Sequence, residues 1–274
     1  MKWRMGLVAV LAMMAGLPAT AMAAESCYAH IDYGKPYDTR PQRVLYVVID
    51  QTVALPAEMK TRVKALVSAW GKPGDSVKIA RFSANFRGKY PSLTFSGAVE
   101  PWPSSQYAHG LRLSDRQQLE RCLQRQREEF GGVFMARLDE TLAKMDPASP
   151  KTDIFVSLKQ IAAQVSKEPA RHKVMLLVSD GLENSDITTF YRRGNIRKIS
   201  PNKEIGKLRR QGLIPNWHGA RVYMYGMGLA PRPGQYVKSH VIRALSRFWD
   251  RYFVEGNARV VALGTPELLI DKVE

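Results

Sequence analysis

The chain has 274 residues, of which 45% are hydrophobic, and 41 Lys and Arg against 25 Asp and Glu give it a formal charge of +16. That length and apolar content predict a sizeable core in one large domain or two small ones. Two distant cysteines without a CxxC or a Cys/His cluster count against a sulfur-ligated metal site. The basic balance reads either as drawing an anionic partner (nucleic acid, lipid head groups, an acidic polymer or an acidic protein face) or as a basic, solvated surface with no such partner.

Residues 1–23 have the three parts of a secretory signal peptide: Lys2 and Arg4, an apolar stretch over 6–17, and the small-residue site Ala21-Met22-Ala23. The apolar stretch is shorter than the roughly 20 residues of a membrane span, and no later segment is longer. The expectation is therefore an exported, soluble protein, periplasmic or secreted. Cleavage after Ala23 would leave 251 of the 274 residues, and loss of Lys2 and Arg4 would take the charge from +16 to +14. Export counts against nucleic acid as the partner. In an oxidising compartment Cys27 and Cys122 read as one disulfide, with two unpaired thiols as the alternative. Residues 24–42, rich in Tyr, Pro and polar groups, read as an extended amino-terminal arm, and 43–274 as a single domain.

Within that domain, apolar runs predict strands over 44–49, 77–82, 173–178 and 221–227, with weaker signals over 92–99 and 259–263. Several are continuously apolar, the habit of a parallel sheet covered on both faces. Between them, apolar stripes predict helices. One over 56–70 has Met59, Val63, Leu66, Val67 and Trp70 on one face. One over 114–130 is capped by Ser114 and resumes over 133–145 after a break at Gly131-Gly132. Two more cover 154–165 and 237–253. Alternation of this kind predicts a doubly wound, Rossmann-like, mostly parallel six-stranded α/β sheet flanked by helices.

Ligands of such sheets sit outside the carboxyl ends of the strands. There the sequence places Asp50 and Thr52 after the first strand, Thr152 and Asp153 before the helix at 154, and Ser179-Asp180-Gly181 after VMLLV. Two carboxylates and two hydroxyls over one edge form an all-oxygen set, the preference of a hard cation such as Mg²⁺. VLYVVIDQTVA, SPKTDIFVSLKQIA and KVMLLVSDGLENS resemble, in order, the three loops of the von Willebrand factor A domain and its metal-ion-dependent adhesion site. The resemblance covers most of residues 43 to 265. It implies an adhesion or assembly module in which Asp50, Thr52, Thr152 and Asp180 hold Mg²⁺ or another divalent cation that bridges to a carboxylate of the partner. One family position fails, because Ala54 stands where a second first-loop serine is expected, and a methyl group donates no oxygen. Without metal, the same Asp and Thr side chains would serve loop architecture by satisfying nearby backbone groups.

Asp153 reads as favouring the positive end of the helix it opens, and Glu183 and Asp186 as solvated. A basic insertion at about 187–219 carries Arg192, Arg193, Arg197 and Lys198, predicted to contact an acidic segment of another envelope or secreted protein. Phe190, Tyr191 and Trp217 interleave with those charges as contact aromatics. The bland reading of the insertion is a solvated, partly disordered loop. No HExxH, GxSxG or phosphate-binding GxxxxGK[ST] occurs, so no enzyme is expected. The alternatives are a Mg-dependent phosphatase-like hydrolase using Asp50 as nucleophile, and a binder of anionic envelope polymers acting through charge alone.

Overall fold

The computed structural model describes residues 26–29, 31, 37–83, 91–148, 151–193, 195–229 and 237–274. The signal-peptide reading of 1–23 and part of the arm at 24–42 lie outside them. Six strands form the central sheet: β1 (Arg43–Asp50), β2 (Asp75–Phe82), β3 (Ser92–Ala98), β4 (His172–Val178), β7 (Arg221–Tyr225) and β8 (Arg259–Leu263). Their order is β3-β2-β1-β4-β7-β8. Every pairing is parallel except that of the edge strand β3 with β2. Two short strands, β5 (Tyr191–Arg192) and β6 (Asn195–Ile196), make a separate hairpin. This is the doubly wound mixed α/β architecture expected from the sequence, with all six predicted strands in the sheet.

Strand β1 is central, and its continuous apolar run follows from burial on both faces. Val44, Tyr46 and Val48 point into one core with helices α4 (Ile154–Val165), α5 (Pro201–Arg210) and α6 (Ser239–Glu255). Leu45, Val47 and Ile49 point into the other, with α1 (Ala57–Val67) and α3 (Leu113–Ala143). Each such side chain stabilises the fold by about 1.5–3 kcal/mol when fully buried. A one-residue slip of β1 would exchange the two sets and carry Asp50 away from its partners.

The structure corrects the sequence reading at several elements. Helix α3 runs unbroken through Gly131-Gly132. A side chain at either glycine would meet nothing within 4 Å, so both lie on the outer face. The opposite face buries Phe130, Phe134, Leu138 and Leu142, which outweighs a helix-propensity cost of about 1 kcal/mol per glycine. Ser114 does not cap this helix; Arg112 holds the N-cap position, with no side-chain cap bond. A short helix, α2 (Ser105–Gly110), precedes it, capped by Ser104 Oγ, which accepts from Tyr107 N–H at 3.3 Å. The insertion is ordered as the β5–β6 hairpin and α5. Among the described residues no helix is long and apolar enough to cross a membrane.

Cys27 and Cys122 form a disulfide with Cα atoms 5.7 Å apart. It closes a third, smaller core of Tyr28, Tyr107, Leu119 and Leu123. Tyr28 stacks on Tyr37 with ring centroids 4.4 Å apart, and Glu100 accepts from Ser26 Oγ at 2.6 Å and Cys27 N–H at 2.8 Å. The described part of the arm is thus fastened to α3 through a turn at 27–29.

The bridge spans 95 residues of sequence, so the double change Cys27→Ser/Cys122→Ser should cost about 2–4 kcal/mol in urea unfolding. Hydrogen exchange should rise in 26–42 and the first half of α3 while β1 and β4 stay protected. Equal loosening of the central strands would show that the third core is not an independent unit.

Candidate functional site

Asp50 ends β1, and the β1–β4 register pairs Ile49 with Val178. The next residues, Asp50 and Ser179, therefore meet as the two strands leave the sheet. Asp50 is fully buried, and three protons hold its carboxylate. Thr52 N–H donates to Oδ1 at 3.0 Å, Thr52 Oγ1 to Oδ1 at 2.7 Å, and Ser179 Oγ to Oδ2 at 2.8 Å. Thr152, from the loop before α4, places its Oγ1 2.5 Å from Thr52 Oγ1. A hydroxyl carries one proton, and that of Thr52 is committed to Asp50, so Thr152 is the donor in the pair. The result is a directed chain, Thr152 to Thr52 to Asp50, whose free lone pairs lie on the two threonines.

Asp180 follows in the loop after β4. Its Oδ1 accepts from Leu182 N–H at 2.9 Å, and its backbone carbonyl accepts from Gly228 N–H at 2.8 Å, tying the loops after β4 and β7 together. Gly181 takes φ +73°, and a Cβ there would stand 2.5 Å from Trp249 Nε1; that nitrogen instead donates to the Gly181 carbonyl at 3.1 Å. Only a residue without a side chain lets α6 close on this loop.

Both carboxylates are pushed toward the protonated form. Burial raises the Asp50 pKa from 3.8 to about 6, against the opposing bonds from Thr52 and Ser179. Burial and then repulsion from Asp50 raise that of Asp180 well above 3.8. Tyr191, on β5, has its phenol pKa raised by burial and then by Asp180 and Asp50. Among the described residues no lysine, arginine or histidine forms an ion pair with either aspartate. Thr52 is half-buried, Thr152 buried, and Ala54 exposed, so the position lacking an oxygen faces solvent.

The structure thus brings Asp50, Thr52 and Thr152 into hydrogen-bond contact and sets Asp180 close enough to repel Asp50. Ser179, which the sequence marked only as part of a loop, supplies a third proton to Asp50. Glu183 corrects its reading as a solvated residue: it is fully buried and caps α4 from another loop, accepting from Ile154 N–H at 2.8 Å. Asp153 occupies the N-cap position but makes no side-chain cap bond. Asp186 is exposed and paired with Lys151 at 2.6 Å.

The insertion is fastened to these loops. Asn184 bridges antiparallel to both Thr152 and Thr189, and Phe190 N–H donates to Glu183 O at 2.8 Å. Phe190 and Trp217 are fully buried core residues, which corrects their reading as contact aromatics; Tyr191 is half-buried. Arg197 turns inward: it donates to Glu204 Oε1 at 2.7 Å and Thr189 O at 2.6 Å and lies over the Phe190 ring. Arg192, Arg193 and Lys198 are exposed.

No family model matches the chain, and no curated protein does. Among solved structures it is similar to an aerotolerance-related membrane protein from Bacteroides fragilis, at 13% identity over 81% of this chain and 92% of that one, with a TM-score of 0.34. It is also similar to the conserved hypothetical protein BatB from Bacteroides thetaiotaomicron (12%, 82% and 91%, TM-score 0.34). The N-terminal domain of TFIIH p34 matches at 12% over 81% and 90%, with a TM-score of 0.34.

Two buried acids, Asp50 and Glu183, together with the half-buried Asp180, make stability depend on pH. Glu183 is raised from 4.5 to about 8 by burial first, and Asp50 from 3.8 to about 6; Asp180 moves the same way. Between about pH 4 and 8 the folded chain keeps protons that the unfolded chain has lost, so stability falls as pH rises through that window. In a chelating buffer the melting temperature should drop between pH 5 and pH 8. Glu183→Gln should flatten the upper part of that slope; an unchanged slope in this variant would mean that Glu183 is ionised throughout.

Proposed function

We propose that this chain is an exported, non-enzymatic protein-binding module whose working surface is the loop edge built by Asp50, Thr52, Thr152 and Asp180, in the manner of a von Willebrand A adhesion site. The observation that carries the reading is the acidic pair itself. Asp50, fully buried, and Asp180, half-buried, stand at the ends of neighbouring strands with like charge and, among the described residues, no basic side chain in an ion pair with either, while two hydroxyl oxygens beside Asp50 lie 2.5 Å apart. Buried charges of one sign are costly unless compensated, and a divalent cation would compensate both. The donors fit such an ion: all are oxygens, of a kind suited to Mg²⁺ or Mn²⁺. Thr52 and Thr152 would offer their hydroxyl oxygens, and Asp50 and Asp180 their carboxylates.

A bound cation would supply a positive charge to which a carboxylate of the partner attaches. The chain's own residues set up that contact. Asp50 orients the Thr52 hydroxyl, Ser179 holds the second Asp50 oxygen away from the edge, and the exposed Ala54 methyl leaves the outer side open. The disulfide fits an oxidising compartment, and the acidic partner would be an envelope or secreted protein.

Cation binding favours the ionised acids, so Mn²⁺ should reverse the loss of stability at pH 8. At one hundred times its dissociation constant the ion should stabilise by about 2.7 kcal/mol. Asp180→Asn and Thr152→Val should lose that gain while melting cooperatively without metal. An equal thermal shift in wild type and both variants, or none in wild type, would remove the cation from the reading.

A further inference from the structure

The unpaired positive charge near this edge has a second source outside the insertion. Helix α6 buries Val241, Leu245, Phe248, Trp249, Tyr252 and Phe253 and turns Arg243, Arg247 and Arg251 outward. The three are not equivalent. Arg251 donates to Glu255 at 2.8 Å, and Arg209 of α5 binds the same carboxylate at 2.6 Å. Arg243 and Arg247 belong to no ion pair among the described residues.

The unpaired half of the helix is also the half beside the site. Trp249 reaches the loop after β4 through its bond to Gly181 O, and Ile242 packs over Gly228 in the loop after β7. Residues 239–247 therefore flank the loop edge, whereas Arg251 and Glu255 lie toward the opposite end of the strands. Phe190, the residue before the hairpin, packs edge-on against Phe248 with centroids 5.3 Å apart. The hairpin that carries the exposed Arg192 and Arg193 therefore starts from a residue packed on the same helix.

We propose that the outward face of the first half of α6, through Arg243 and Arg247, binds an extended acidic segment of the partner whose leading carboxylate reaches the loop edge. This rests on the reading of that edge given above. Two arginines four residues apart are separated by about 6 Å along a helix axis. Alternate side chains of an extended peptide repeat at about 6.6–6.8 Å, so carboxylates at every second position match the pair. Guanidinium groups take carboxylates in two-pronged contacts. Asp250, exposed one turn further on, would repel a segment that continued down the helix and so sets its end.

The test uses the full mature chain and a fluorescein-labelled peptide of alternating Glu and Ser, read by fluorescence anisotropy at low ionic strength. In EDTA, Arg243→Glu/Arg247→Glu should weaken binding by about tenfold or more. Arg121→Glu/Arg125→Glu, an equally spaced and exposed pair on α3, should weaken it less than about threefold. Arg243→Gln/Arg247→Gln should show the loss should the charge reversal perturb folding. Equal losses in the α6 and α3 variants would overturn the proposal in favour of net charge alone. So would absence of binding by wild type, or tighter Arg243- and Arg247-dependent binding of polyphosphate than of the peptide. Repeating the titration with Mn²⁺ separates the two readings: Asp180→Asn should abolish any metal-dependent gain and leave the α6 contribution intact, so either can fail without the other.

Discussion

Everything at the loop edge depends on one buried carboxylate. Asp50 sits at the end of a strand that is covered on both faces, so no water compensates its charge, and three hydrogen bonds from Thr52 and Ser179 take water's place. Those bonds fix the rotamer of Thr52, whose hydroxyl in turn accepts from Thr152 in a loop one hundred residues away. The first, second and third loops are thereby connected through side chains that each have one productive orientation. Asp180 then stands at a point where its own ionisation is opposed by Asp50. A site built this way has its hydroxyls fixed in direction and its charge of one sign.

The backbone around this cluster explains why the insertion is ordered although its sequence is basic. Asn184 joins Thr152 to Thr189 by paired bridges, and Arg197 closes the hairpin onto Glu204 at the start of α5. Glu183 serves a further purpose in the same segment, since its buried carboxylate satisfies the first amide of α4. The insertion is thus fastened to the loops that carry the site, with the half-buried Tyr191 followed directly by two exposed arginines.

Charge is distributed unevenly along α6. Its far end is neutralised locally by Glu255, which serves both Arg251 and Arg209. Its near end carries Arg243 and Arg247, which form no ion pair among the described residues, beside a loop edge whose own interior is acidic. Exposed charge of this kind acts chiefly on encounter and salt dependence in any association.

The sequence by itself determined the sheet and most of its helices, because burial on two faces leaves continuous apolar runs and burial on one leaves a stripe. It also placed Asp50, Thr52, Thr152 and Asp180 on loops of one edge, since strand polarity puts every such loop at the carboxyl end. Tertiary structure decided what local pattern does not encode. Gly131-Gly132 looks like a break until Phe130, Phe134 and Leu138 are seen to bury together. Phe190 and Trp217 look like surface anchors among charges until the core shared with α4, α5 and α6 closes over them. Glu183 looks solvated because the amide it caps lies 29 residues earlier in the chain. Arg243 and Arg247 were legible only as the polar face of a helix. Their standing as free charge depends on which acids the fold brings within reach, and Glu255 reaches only the far end.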